Sequence, residues 1–173
     1  MTLKKTLQSP IAALVLLVIA ILVMTWNVMP VHELYVSDLN ELTIVKAEWA
    51  EPGLDVSVSG KPLSIGEKRY EKGLGVHANS EISMRVPKGY THFIAEVGVD
   101  DAVGEGHPSS IVFIVKGDDT ILYESPIMKI YMDSRRIDVN VEGMETLSLI
   151  VNDGKDGANS DHGDWGDARF VQR

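Results

Sequence analysis

The sequence predicts an all-β protein, an antiparallel sandwich or barrel preceded by one apolar segment of membrane-spanning length. Three observations carry this prediction. Apolar and polar residues alternate with period two in many short runs after residue 36. Turn residues, chiefly Gly, Pro, Asp and Asn, separate those runs. No stretch of useful length in that region has the 3.6-residue apolar spacing of an amphipathic helix.

The apolar segment comes first. Residues from Ile11 to Met24 are apolar without a break, and the run continues with little interruption to Met29. Residues 1–30 therefore read as a cytoplasmic start and a transmembrane signal anchor, 31–35 as a juxtamembrane spacer, and 36–173 as the sandwich. Lys4 and Lys5 precede the run and no basic residue follows until Lys46. This asymmetry predicts a single-pass membrane protein with a cytoplasmic amino terminus and an exported domain. A cleaved signal peptide is the competing reading; the length of the run and the lack of a small-x-small site beyond Thr25 favour retention. The absence of cysteine excludes disulfides and lipoprotein attachment.

The chain carries a formal charge of −9. Setting Lys4 and Lys5 aside leaves 14 of the 16 basic residues against all 25 acidic ones, or −11 for the exported part. That argues against nucleic acid and anionic lipid as partners.

Val45, Ala47 and Trp49 share one face of a first predicted strand, and Leu54, Val56 and Val58 form a second. Ile82, Met84 and Val86 mark a third, and Phe93, Ala95, Val97 and Val99 a longer one that ends at Asp100 and Asp101. Residues 111–115 are apolar on both faces, as suits a central strand covered on both sides. Their turn at 116–119 returns through 120–124 as a hairpin. Ile137, Val139 and Val141 alternate, as do Leu147, Leu149 and Val151, and a strand from Ala168 to Val171 closes the chain.

Two stretches break this pattern. Asp161-His162-Gly163-Asp164-Trp165-Gly166-Asp167-Ala168, with the turn-rich residues 153–160 before it, reads as one long surface loop. Gly73-Leu74-Gly75-Val76-His77-Ala78-Asn79-Ser80 has the same mixture of small and hydrogen-bonding residues. If the two meet, Trp165 supplies an apolar platform for a sugar ring, and His77, Asn79, Asp161, His162 and Asp164 supply donors and acceptors. The alternative is that Trp165 plugs the end of the sandwich and His77 is a satisfied buried imidazole. Asp100, Asp101, Asp153, Asp156 and Asn159 are oxygen donors of the type calcium takes, although turn formation explains the same residues. His77 and His162 are not the closely spaced pair of a zinc site. A glycoside hydrolase would need two carboxylates across a cleft, drawn here from Asp161, Asp164 and Asp100.

Five motifs, in order, carry a resemblance. They are Tyr35-Val36-Ser37-Asp38-Leu39, Leu63-Ser64-Ile65-Gly66, Tyr70 to Ser80, Val97-Gly98-Val99-Asp100-Asp101 and Asp161 to Ala168. Together they resemble the NPCBM domain, a carbohydrate-binding module related to carbohydrate-binding module family 51, over nearly all of the chain from Tyr35 to Arg173. The resemblance implies a jelly-roll β-sandwich that binds glycans without hydrolysing them, often beside a glycoside hydrolase and often holding calcium, with galactose-type ligands. The leading expectation is thus a membrane-tethered, noncatalytic glycan-binding module whose partners are a glycan and a separate glycoside hydrolase or envelope protein. A small glycoside hydrolase and an envelope protein-interaction sandwich are the alternatives.

Overall fold

A computed structural model describes residues 31–173. The predicted anchor lies outside the described residues. Among those described, no helix is long and apolar enough to cross a membrane.

The described chain runs through thirteen strands: β1 (Glu33–Tyr35), β2 (Thr43–Ala47), β3 (Gly53–Leu54), β4 (Leu63–Ile65), β5 (Lys68–Tyr70), β6 (Gly73–His77), β7 (Ser80–Arg85), β8 (His92–Val99), β9 (Val112–Gly117), β10 (Thr120–Glu124), β11 (Arg135–Asn140), β12 (Thr146–Asn152) and β13 (His162–Val171). They form two antiparallel sheets and a hairpin. The first sheet has the order β11-β8-β13-β6-β3, with β1 also paired to β13; the second has the order β10-β9-β12-β7-β2; β4 and β5 pair alone.

The alternation read from the sequence decides which residues lie between the sheets. Leu74 and Val76 of β6, Phe93, Ala95 and Val97 of β8, and Trp165 and Phe170 of β13 form one wall. Ile82 and Met84 of β7, Phe113 and Val115 of β9, and Leu147 and Leu149 of β12 form the other. All belong to one continuous buried cluster, which makes the molecule a β-sandwich.

The largest departure from expectation is the stretch 161–168. It is not a surface loop: all but Asp161 belong to β13, the longest strand, which pairs with β8 on one side and with β6 and then β1 on the other. Its glycines mark close contact between layers. A Cβ on Gly163 would lie 3.0 Å from the Phe113 ring, and one on Gly166 would lie 2.6 Å from the Tyr70 ring. Between them Trp165 points inward, is 0% exposed, and meets Phe113 edge-to-face at 5.1 Å. A register shift follows between Gly166 and Arg169, where Asp167 takes φ +50.

Three smaller expectations also change. Residues 33–35 are a strand rather than a spacer, with Leu34 opposite Phe170. The predicted second strand is cut short after Leu54, because Asp55 turns the chain at φ +59. Strand β9 lies inside its sheet but buries only alternate residues, with Val112 and Ile114 partly open, so it is covered on one face rather than two.

Because Trp165 fills the centre of the sandwich, Trp165→Ala should cost about 3–5 kcal/mol of stability. Urea unfolding followed by circular dichroism measures this, and a loss below about 1 kcal/mol would contradict a core role.

Candidate functional site

The pairing of β6 with β13 sets His162 directly opposite His77. Leu74, Val76, Gly163 and Trp165 point into the sandwich, so alternation turns His77 and His162 to the outer face of the first sheet. Their rings lie 5.2 Å apart. Trp49, just beyond the end of β2, stacks on His77 at 4.8 Å and 27° and stands 6.1 Å from His162. The indole is 70% exposed, so the stack leaves much of it open to solvent. These three rings line a cleft of about 590 Å³, completed by Glu48, Ala78 and the loop residues 157–160.

The site's polar groups are held in defined states. Glu48 donates its amide hydrogen to the Asn79 carbonyl at 3.2 Å, and its carboxylate accepts from Asn79 Nδ2 at 3.0 Å. Hydrogen bonds from Lys46 and Asn79 hold the Glu48 carboxyl down at about 2, so it is ionised at neutral pH. Burial, and then the neighbouring His77, lower the pKa of His162 and favour its neutral imidazole. Its Nδ1 is buried and has no hydrogen-bond partner among the described residues.

The adjoining part of the outer face is covered. The β4–β5 hairpin buries Leu63, Ile65 and Tyr70 there, over a floor that includes Gly98 and Gly166. Carboxylates fix this cover. Asp101 accepts from Ser64 Oγ at 2.6 Å, from the Gly66 amide at 2.9 Å and from the Glu67 amide at 2.8 Å. Asp100 accepts from the Ser57 hydroxyl and, at 2.9 Å, from the Ala102 amide. Asp164 accepts from the Ser64 amide at 2.9 Å. Burial and then the charge of Asp100 push Asp164 up to about 9, so it is a neutral acid at pH 7. Its other oxygen has no hydrogen-bond partner among the described residues.

A family model for the NPCBM/NEW2 domain matches residues 32–171. The chain belongs to the NPCBM/NEW2 family. Two solved carbohydrate-binding modules of family 51 from Clostridium perfringens share the fold. The CBM51-2 module of ZmpB, also determined with GlcNAc, is 32% identical over 82% of this chain and 32% of that one, with a TM-score of 0.75. The module from GH95, determined with methyl-galactose, is 31% identical over 80% of this chain and 99% of that one, with a TM-score of 0.73. Among curated proteins, alpha-1,3-galactosidase B of Akkermansia muciniphila is 35% identical over 133 residues, which is 74% of this chain and 16% of the galactosidase. A Renibacterium salmoninarum protein named for endo-alpha-N-acetylgalactosaminidase activity matches over 10% of its own length. The chain thus spans a small part of these two curated relatives, and its fold is that of a carbohydrate-binding module.

The NPCBM fold sorts the residues singled out in the sequence. His77 and His162 meet in the cleft, Asn159 lines it, and Asn79 borders it through Glu48. Trp165, Asp161 and Asp164 do not reach it, because each is 0% exposed. Trp165 therefore offers no platform to a sugar. Asp161, at the end of the sandwich, accepts from the Ser110 amide at 2.9 Å through its side chain and from the Ala78 amide at 2.9 Å through its carbonyl. Burial raises it to about 6. With Asp100 also buried, the three carboxylates considered for hydrolysis are all sealed from substrate. The missed residues are Trp49 and Glu48. One local signal for them was Pro52-Gly53 in the sequence, which breaks the alternation soon after Trp49 and places it near a strand end rather than on a strand face.

The residues considered for calcium fall into two places. Asp100 and Asp101 bond to the cover, whereas Asp153 accepts from the Lys155 amide at 3.1 Å and Asp156 from Ser110 Oγ at 2.7 Å. Among the described residues, no group of three or more His, Asp or Glu side chains converges as a metal cage.

The proton on Asp164 has a sign that can be tested. Its pKa rises from 3.8 to about 9 on folding, so its contribution to stability is complete below the lower value and is lost as pH rises through the upper one. Asp164→Asn, which carries no titrating proton, should flatten that decline. Urea midpoints at about pH 5, 7 and 9 measure it, and a constant difference between wild type and variant would contradict a neutral Asp164.

Proposed function

We propose that this NPCBM domain binds a glycan, without cleaving it, in the cleft between Trp49 and the loop residues 157–160. The exposed indole stacked on His77 is the observation that carries the reading. A sugar needs an apolar surface for one ring face and fixed polar groups for its hydroxyls. Trp49 offers the first. The imidazoles of His77 and His162, the Glu48 carboxylate and the Asn159 carboxamide offer the second. The ionised Glu48 accepts from hydroxyls, whereas a neutral imidazole both donates and accepts.

A galactose-type or N-acetylhexosamine-type sugar is the favoured ligand class. Methyl-galactose and GlcNAc accompany the two related modules, which supports this choice. Trp49→Ala should then weaken binding of methyl galactoside at least tenfold, about 1.4 kcal/mol, while changing stability by less than about 1 kcal/mol. Calorimetric titration and thermal melting on the same variant read the two quantities. Full retention of affinity would remove Trp49 from the site.

The same reading makes the module membrane-tethered, its glycan cleft presented outside the cell. The apolar run from Ile11 to Met29 and the preceding Lys4 and Lys5 support this arrangement. The full chain should remain in the membrane pellet after a carbonate wash. Quantitative release with a shortened amino terminus would mean a cleaved signal instead.

A further inference from the structure

His77 and His162 both line the cleft, but their surroundings fix different ring nitrogens. Nδ1 of His77 is hydrogen-bonded to the carbonyl oxygen of Ala78. A carbonyl oxygen only accepts, so the proton of the neutral ring is on Nδ1 and Nε2 keeps a bare lone pair. That Nε2 is neither sealed nor hydrogen-bonded among the described residues, on a ring that lines the cleft. His162 is the reverse. Its Nδ1 is sealed and has no partner among the described residues. A buried N–H without an acceptor is rarer than an under-used buried acceptor, which puts the proton of this neutral ring on Nε2. Glu48 is the third polar group. Its ionised carboxylate only accepts, and it is held by Lys46 at 2.7 Å and by Asn79 Nδ2 at 3.0 Å.

We infer that the two imidazoles read the sugar in opposite senses: His77 accepts from one hydroxyl through Nε2, and His162 donates to another oxygen through Nε2. This rests on the glycan reading of the cleft and deepens it. Together with Glu48, the cleft then holds two acceptors that have no proton to give, and each needs a hydroxyl that donates. The ligand class is a terminal sugar with free hydroxyls at both places. An ether or ester at either one leaves an acceptor covered and unpaired, which is the contact a polar site rejects most strongly.

Protonation removes the distinction. Since Nδ1 of His77 is already occupied, an added proton goes to Nε2 and turns the acceptor into a donor. An uncharged sugar would also cover the new charge, which burial disfavours, so sugar binding and protonation oppose each other. The charged groups around the pair are Glu48 at the end of β2, bonded to Lys46, and Asp100 after β8, bonded to Ser57 and Ala102. Asp161, next to His162 in the chain, is bonded to the Ser110 amide and raised to about 6 by burial. Residues 157–160 bring no charge. Asp161 titrates in the range where imidazoles do, and a substitution confined to His77 separates the two.

Nitrogen-15 NMR of the histidine rings, on the full chain in mild detergent at about pH 7.5, reads the tautomers before any ligand is added. His77 should be the Nδ1–H form and His162 the Nε2–H form. Calorimetric titration with methyl galactoside at about pH 7.5 and about pH 5 reads the consequence, and wild type should lose about tenfold or more in affinity at the lower value. His77→Leu should lose about tenfold already at the higher value. His77→Gln, whose amide oxygen accepts without titrating, should lose less than His77→Leu and change less with pH than wild type. Melting curves establish that both variants are folded. An Nε2–H form of His77, equal wild-type affinity at the two pH values, or a His77→Gln variant as weak as His77→Leu would overturn the inference and leave the cleft standing as a glycan site. Absence of methyl galactoside binding at both pH values would overturn both.

Discussion

The arrangement depends on one close contact, the packing of the segment from Ser57 to Tyr70 against the outer face of the first sheet. Two features make it possible. Glycines on that face let side chains and backbone approach: a Cβ on Gly98 would sit 2.2 Å from Ile65, and one on Gly75 would sit 2.4 Å from the Ser57 backbone. Carboxylates then fasten the segment, with Asp101 taking three donors from Ser64 to Glu67 and Asp164 taking the Ser64 amide. Asp164 enters that dry layer only as a neutral acid, because an unpaired buried charge beside Asp100 costs far more than protonation.

The cover also decides where a ligand can sit. It occupies the outer face as far as Gly75, and the next outward residue of β6 is His77, with His162 opposite on β13. The uncovered end of the sheet therefore presents two imidazoles, and Trp49 leans over them. The same alternation that sends Trp165 inward sends His162 outward, so one strand supplies both the centre of the core and part of the cleft. A binding face built on paired strands is preorganised, which limits the entropy lost when a sugar docks.

Strands with clean alternation and ordinary residues, such as β7, β8, β11 and β12, were legible in the sequence because one apolar face suffices to place them. The stretch that became β13 was not, since Gly163, Gly166 and two aspartates carry the signature of a loop. Their presence in a strand reflects layers packed against its backbone, a cause that no local pattern reveals. Trp49 was misplaced for the opposite reason. Alternation grouped it with Val45 and Ala47, yet β2 is an edge strand with a register shift between Ile44 and Lys46, and Val45 itself is exposed. The stretch from Gly73 to Ser80, expected like the later one to be a polar loop, is instead the buried strand β6, two connecting residues and the start of β7, and the aromatic partner of its His77 came from 28 residues upstream and not from the tryptophan of the later motif.

A crystal structure of the protein with methyl galactoside tests the central claim most directly. The account predicts the pyranose stacked on the free side of Trp49, with hydroxyls within hydrogen-bond distance of His77, His162 or Glu48. A sugar bound at any other surface, with the ring of Trp49 untouched, would contradict it.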